Sequence, residues 1–139
     1  VSAYATEGHR HQAELEEQLD YPILFSPHLL PMSRGILSSI YVDFDSDVEL
    51  EHIMKVYYDF YKDAVFTSVS ESLDPSTKYV VGSNHCLITM KQQHKKNQLI
   101  IFSMLDNLLK GAAGQAIQNM NIMCGFDQSL GLPKQSSMV

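Results

Sequence analysis

The chain is 139 residues long, with 45% hydrophobic and 19% charged residues, which is typical of one globular domain that buries its own core. Its formal net charge of −6 argues against nucleic-acid and anionic-membrane partners, because either surface needs a basic patch. No apolar run reaches the roughly 18–20 residues of a membrane-spanning helix. The two cysteines show no metal or disulfide spacing, so a cytoplasmic location is expected. Because the chain does not begin with methionine, we expect a piece of a longer polypeptide.

Two short apolar segments and one polar helix are predicted for the first part of the chain. Val1–Ala5 predicts a short strand, and alanine and leucine residues spaced among acidic ones predict a helix from His11 onward. The next segment, Tyr21–Met32, contains three prolines, which argue against a helix and against a central strand. We therefore predict an extended strand there, with a rigid turn at Ser26–His28.

Regular alternation and helical periodicity follow in the middle of the chain. Ile36–Asp45 alternates in the manner of a strand. An acidic cap then precedes a helix from about Leu50 to about Asp63, with apolar residues at i, i+3, i+4 and i+7. Val65–Val69 predicts a short strand, and Tyr79–Val81 predicts the start of another.

The last part of the chain predicts a hairpin followed by a helix. Two apolar, β-branched runs, Asn84–Met90 and Gln98–Met104, surround a hydrophilic tip, which is the pattern of antiparallel strands. Asp106–Asn121 is predicted to be a loop that leads into a helix, and Gly125 is predicted to end that helix. Most connections between strands are too short for crossovers. We therefore predict an α+β fold, with a mixed, mainly antiparallel sheet and helices packed on one face.

The segment Gly111–Gly114 places only tiny side chains at the start of the last helix. Such a run lets a ligand or another backbone approach closely, or lets the helix pack tightly against a sheet. Both interpretations stay open from the sequence. The glycine order is not that of a dinucleotide-binding loop, but Lys110 beside the free amides of a helix start could face a phosphate or an amide.

His9 and His11 form a pair at the start of the first predicted helix. Single histidines are often structural, and an HxH pair could ligate a metal, but no third ligand follows at a recognisable spacing. The sequence therefore predicts no metal site. Proton transfer suits the pair, because the ordinary pKa of histidine lies near working pH.

His28 and Arg34 lie in a segment framed by prolines. An arginine beside Gly35 suits bidentate binding of a carboxylate or phosphate. A surface salt bridge explains Arg34 equally well, and the sequence does not separate the two interpretations.

Four motifs resemble one enzyme family and occur in that family's order. They are GHRH at residues 8–11, FSPHLLPMSRGIL at 25–37, VGSN at 81–84 and DNLLKGAAGQAIQNMN at 106–121. Together they are similar to the C-terminal portion of the N-acetyl-gamma-glutamyl-phosphate reductases, over essentially the whole chain. The chain departs from the family at Ala13 and Leu15, where proline and isoleucine are usual.

The resemblance implies an NADP-dependent acyl-phosphate reductase of arginine biosynthesis. In this family a cysteine thiolate attacks the acyl phosphate, phosphate leaves, and NADPH reduces the thioester to N-acetylglutamate 5-semialdehyde. By resemblance, His9 or His11 would assist proton transfer, while His28 and Arg34 would hold substrate anions. The residues implied to contact NADP are Asn107, Lys110, Gly111 and Gly114.

The resemblance also implies how the chain is organised. Residues 1–105 would form a substrate and dimerisation domain like the C-terminal domain of glyceraldehyde-3-phosphate dehydrogenase. Residues 106–139 would form a helical segment that packs on an N-terminal nucleotide-binding domain, which is missing here. The expected partners are that domain, a second copy of the chain in a homo-oligomer, and the small acyl-phosphate substrate.

Because the family's nucleotide loop and catalytic cysteine precede this region, the chain alone is expected to be inactive.

Three alternatives to this function stay open. The first is a stand-alone binding or assembly module that kept the fold without catalysis, and the second is the related lysine-pathway reductase. The third is a metal-dependent enzyme that uses His9, His11 and His28.

Overall fold

The computed structural model describes residues 1–5 and 7–136, and the chain divides into two compact units, Val1–Ser33 and Arg34–Val139. In the first unit, strand β1 (Ser2–Ala3) pairs antiparallel with strand β2 (His28–Leu29). Helix α1 (Arg10–Leu19) lies between them in the chain. The extended strand predicted over residues 21–32 is thus reduced to two paired residues, because prolines at both sides remove ladder donors.

The second unit is built on a sheet of four strands among the described residues. These are β3 (Ile36–Asp43), β4 (Thr67–Ser70), β5 (Cys86–Gln92) and β6 (Gln98–Leu105), in the spatial order β3-β6-β5-β4. β6 runs antiparallel to both β3 and β5, and its pairing with β5 confirms the predicted hairpin. β4 runs parallel to β5, because the intervening chain is long enough to return to the same end of the sheet.

Helix α2 (Leu50–Tyr61) covers one face of this sheet. Its apolar residues recur at helical spacing, so one side of the helix is apolar and packs on the strands. Met54 is 2% exposed and lies in the same buried cluster as residues of β5 and β6, namely Ile88, Met90 and Leu99. The predicted helix is confirmed, and it ends at Tyr61.

The opposite face is packed by the segment that precedes β5. A short 3₁₀ turn at Thr77–Tyr79 places Val80 in a second buried cluster with Leu87 and Met104. The strand start predicted at Tyr79–Val81 is therefore wrong. The residues are apolar because they cap a buried face, and a run of three apolar residues does not by itself distinguish a strand from a tight turn.

After β6, a turn at Leu109–Ala113 that is kinked at Ala112 (φ −150°, ψ −106°) leads into helix α3 (Gly114–Met123), the last helix of the described residues. The α+β fold class, with a mixed and mainly antiparallel sheet, is confirmed. Within the described residues, no helix has the length and apolar character needed to cross a bilayer. The segment that precedes β5, the turn and helix that follow β6, and the start of β3 belong to the second unit and hold most of the motif residues.

Candidate functional site

The histidine pair lies at the N-terminus of α1 in the first unit. His9 is the N-cap residue, with extended backbone angles, and its Nδ1 accepts a hydrogen bond of 3.1 Å from the backbone N–H of His11. A helix start leaves its first N–H groups without intrahelical partners, so the imidazole replaces the serine or asparagine usual at this position.

Aromatic rings surround His9 within the same unit. The ring centroid of His9 lies 4.6 Å from that of His11, 5.3 Å from that of Phe25 and 5.5 Å from that of Tyr4. All three contacts are edge-to-face, the arrangement that aromatic pairs favour. His9 is half-buried, whereas His11 is exposed. An open groove beside the pair is lined by Glu7, Gly8, His9, Gln12, Ala13 and Glu16.

His28 lies on β2 in the first unit and is exposed. Its Nδ1 lies 3.0 Å from the carbonyl oxygen of Ser26, which can only accept, so Nδ1 is the protonated nitrogen. The second ring nitrogen, Nε2, is then the acceptor of the neutral ring. His28 is held by its own turn, and its ring remains accessible.

Asp106 is the centre of a network in the second unit. The side chain is fully buried and accepts four hydrogen bonds through its two carboxylate oxygens. Oδ2 accepts from Arg34 Nη2 and from the N–H of Gly82, both at 2.7 Å, and Oδ1 accepts from the N–H groups of Leu108 at 2.8 Å and Leu109 at 3.1 Å. Three motif segments that are distant in sequence therefore meet at one carboxylate.

The pKa of Asp106 reflects two opposing effects. Burial alone raises the pKa of a carboxyl group, because it disfavours the charged form. The hydrogen bonds from Gly82, Leu108, Arg34 and Leu109 outweigh burial, so the pKa of Asp106 lies below its ordinary value. Asp106 is therefore ionised at neutral pH.

Arg34 and Asn107 connect the start of β3 to this network. The side chain of Arg34 is 37% exposed, its Nη2 donates to Asp106, and its Nε is buried without a hydrogen-bond partner among the described residues. Asn107 Oδ1 accepts a 2.7 Å hydrogen bond from the N–H of Gly35. Arg34 therefore does form a salt bridge through Nη2, but its partner is the buried carboxylate of Asp106 and not a surface residue.

The two glycines of the motif are surrounded by atoms of the same chain. A Cβ on Gly114 would overlap Asn84 Oδ1 and would lie 2.8 Å from the carbonyl of Leu109. A Cβ on Gly111 would lie 3.2 Å from Leu105 Cδ1 and 3.3 Å from the carbonyl oxygen of Asp106. Tight packing within the chain therefore explains the small residue at Gly114.

Lys110 lies near the buried polar cluster around Gln118. Its Nζ donates to Gln118 Oε1 at 2.8 Å and lies 5.8 Å from the ring centroid of Phe66. Gln118 Oε1 also accepts from Asn84 Nδ2 at 3.2 Å. Lys110 forms no salt bridge with a carboxylate of residues 1–5 or 7–136. Burial lowers the pKa of Lys110, and Cys86 opposes this.

His85 adds a second titratable group at this end of the sheet. Its Nε2 lies 2.7 Å from Ser68 Oγ, and burial followed by repulsion from the Lys110 ammonium lowers its pKa. No sequence pattern indicated His85, because its partners come from two distant segments.

Replacing Lys110 with glutamine is expected to raise the pKa of His85. The substitution removes the positive charge that disfavours the imidazolium, while burial remains and keeps the pKa below the ordinary value. Histidine proton NMR shifts followed against pH would measure the change. Lys55→Gln is the matched control, because Lys55 pairs with Asp59 on α2, and an equal shift in both variants would contradict the prediction.

Residues 1–107 match the model of the semialdehyde dehydrogenase dimerisation domain. The chain belongs to this family. The matched range contains the histidine pair, His28, Arg34, the VGSN motif and the first two residues of the last motif.

Curated relatives of this semialdehyde dehydrogenase domain are named N-acetyl-gamma-glutamyl-phosphate reductase. The protein of Clostridium botulinum is 48% identical over 136 aligned positions, and the alignment covers 93% of this chain and 40% of the relative. The protein of Desulfotalea psychrophila is 47% identical over 131 aligned positions, with 89% of this chain and 38% of the relative covered. That of a Thermoanaerobacter species is 44% identical over 139 aligned positions, with 95% of this chain and 40% of the relative covered. The chain therefore spans about two fifths of the length of these relatives.

The predicted site residues of this semialdehyde dehydrogenase domain fall into two groups. His9, His11 and His28 belong to the first unit, while the other predicted residues belong to the second, namely Arg34, Asn107, Lys110, Gly111 and Gly114. Within residues 1–5 and 7–136, no cluster of three or more histidine, cysteine or acidic side chains could hold a metal ion. The motif residues that sequence reasoning gave no role are Gly82, Asn84, Asp106 and Gln118.

Proposed function

We propose that this chain is the C-terminal substrate and dimerisation part of an NADPH-dependent N-acetyl-gamma-glutamyl-phosphate reductase. The enzyme would convert N-acetyl-glutamyl 5-phosphate to N-acetylglutamate 5-semialdehyde and phosphate in arginine biosynthesis. It would act in the cytoplasm as a homo-oligomer. The observation that carries the proposal is 44–48% identity to reductases of that name over 89–95% of this chain.

The groove beside the histidine pair supports a role in acyl transfer. One of the two histidines at this helix start, either His9 that lines the groove or the exposed His11 beside it, is proposed to exchange protons with a nucleophile brought there. The nucleophilic cysteine would come from the preceding part of the reductase. His28, with an accessible ring, and the exposed part of Arg34 are proposed to hold the anionic groups of the substrate.

Among the residues proposed to bind the cofactor, Lys110 carries a positive charge that suits the phosphates of a nucleotide. The Lys110 ammonium is half-buried and has no carboxylate partner in the described part of the chain, so an anion could compensate it. Bound NADPH would supply the hydride. Asn107 is proposed to contact the nucleotide from the loop that follows β6. Hydrogen bonds to Asp106 and Asn107 hold that loop in place. Gly111 and Gly114 are proposed to lie near the nucleotide, although the side on which each lacks a Cβ is packed against atoms of this chain.

The proposal is tested with two proteins, the product of the full-length reading frame and residues 1–139 alone. We expect the full-length protein to oxidise NADPH when N-acetyl-glutamyl 5-phosphate is added, and not when the acyl phosphate is omitted. The isolated chain is expected to show no turnover, because the proposed nucleophile and nucleotide loop precede it. Light scattering on the full-length protein would measure its oligomeric state.

Two results would contradict the proposal. Turnover by the isolated chain would mean that the catalytic groups lie within these residues. A full-length protein without activity on this substrate would favour the binding-module alternative, or the lysine-pathway reductase if it instead reduced an acyl phosphate attached to an amino-group carrier protein.

A further inference from the structure

We infer that the two histidines of the GHRH motif have different tasks: His11 exchanges the proton, and His9 is a positioning residue that caps α1 and orients the His11 ring. This inference rests on the proposed reductase function and deepens it. It starts from the single hydrogen bond that distinguishes the two rings, between the backbone N–H of His11 and Nδ1 of His9.

The hydrogen bond fixes the tautomer of neutral His9. A backbone N–H can only donate, so Nδ1 of His9 must keep its lone pair, and the neutral ring carries its proton on Nε2. A proton added to His9 would go to Nδ1, the nitrogen already occupied by the cap. His9 can therefore accept a proton only by breaking the cap of α1, which makes it a poor general base.

His11 has no such restraint. Its ring makes no hydrogen bond with any residue in the described part of the chain, and it is exposed at the first turn of α1. Its ring contacts are with His9 at 4.6 Å and Phe25 at 6.5 Å between centroids. One ring nitrogen of neutral His11 thus offers a lone pair to a partner group that approaches the helix start.

The surroundings of His9 suit a positioning role. Its ring is enclosed edge-to-face by Tyr4, Phe25 and His11, so its orientation is fixed by packing as well as by the cap. Its edge-to-face contact in turn restricts the ring of His11. Two acidic side chains, Glu7 and Glu16, line the groove that adjoins this helix start.

The proton balance is simple. The proton of a cysteine thiol, supplied by the preceding part of the reductase, moves to the free nitrogen of His11, which leaves a thiolate and an imidazolium. The S–H bond breaks, an N–H bond forms, and the sulfur keeps the electron pair for its attack on the acyl carbon. The imidazolium can return the proton in a later step. Throughout, the cap on His9 stays intact.

The test uses four variants of the full-length reductase: His9→Asn, His9→Ala, His11→Asn and His11→Ala. Asparagine caps helices as well as any residue but lacks an imidazole. We expect His9→Asn to keep kcat within about threefold of the wild type, because the cap is retained. His9→Ala should be more impaired than His9→Asn, because it lacks a cap. Both His11 variants should lose about 10²–10⁴-fold in kcat, the usual contribution of a general acid or base.

Added imidazole provides a readout that a structural role would not move. It should restore part of the activity of His11→Ala, because it replaces the missing proton acceptor, and should not restore His9→Ala. The inference is overturned if His9→Asn loses as much activity as His11→Asn, or if imidazole restores His9→Ala instead of His11→Ala. A wild-type protein that does not reduce the acyl phosphate would contradict the proposed function itself, before any variant is compared.

Discussion

Replacing Asp106 with alanine is expected to lower the free energy of unfolding by about 2–4 kcal/mol. The substitution removes an acceptor that serves four donors, and the N–H groups of Gly82, Leu108 and Leu109 would lose their partner in a buried setting. The guanidinium of Arg34 would lose its carboxylate as well. Urea unfolding would measure the change. Asp59→Ala is the control, since Asp59 forms an exposed ion pair with Lys55 and its loss should leave the midpoint unchanged.

The pH dependence of this effect has a defined sign. The pKa of Asp106 is lowered in the folded protein, so its carboxylate contributes stability above the ordinary pKa of about 3.9, and this stability is lost as pH falls toward the folded pKa. The stability difference between the wild type and Asp106→Asn should therefore be largest near neutral pH and shrink below about pH 4. A difference that grows as pH falls would contradict this role of the charge.

Local patterns in the sequence were sufficient for most of the fold. β3 was predicted from alternation, the hairpin of β5 and β6 from two apolar runs around a hydrophilic tip, and α2 from helical spacing, so each element is specified by its own residues. Tyr79–Val81 was predicted wrongly for a physical reason. Its apolar residues serve a buried face that only the tertiary structure creates.

The polar network was the part that sequence reasoning could not supply. The hydrogen bonds of Asp106 join residues up to 72 positions apart, and the chain contains no local signal that pairs Arg34 with this carboxylate. The motifs did indicate that these segments matter, but not that VGSN supplies Gly82 to Asp106 and Asn84 to Gln118. The cap formed by His9 was also missed, because histidine is not among the residues usually expected there.

The glycine at the start of α3 is the second position with a large expected effect. Gly114→Ala should lower the free energy of unfolding by about 2–3 kcal/mol, although alanine is intrinsically the better helix residue. The added methyl would overlap Asn84 Oδ1 and would lie 2.8 Å from the Leu109 carbonyl, which belongs to the backbone and cannot turn aside. Thermal and urea unfolding of the protein would measure the loss.

Gly111→Ala is the matched control for this prediction, because the same residue type is replaced three positions earlier in the same motif. Its new methyl would meet the flexible end of Leu105 at 3.2 Å and the Asp106 carbonyl oxygen at 3.3 Å, so a small shift can accommodate it. The smaller loss of unfolding free energy is therefore expected for Gly111→Ala.

Adding Asn84→Ala to Gly114→Ala removes the overlap with the Asn84 side chain and leaves the overlap with the Leu109 carbonyl. The double variant should consequently lose less than the sum of the two single variants, and strict additivity would mean that Asn84 and Gly114 do not interact.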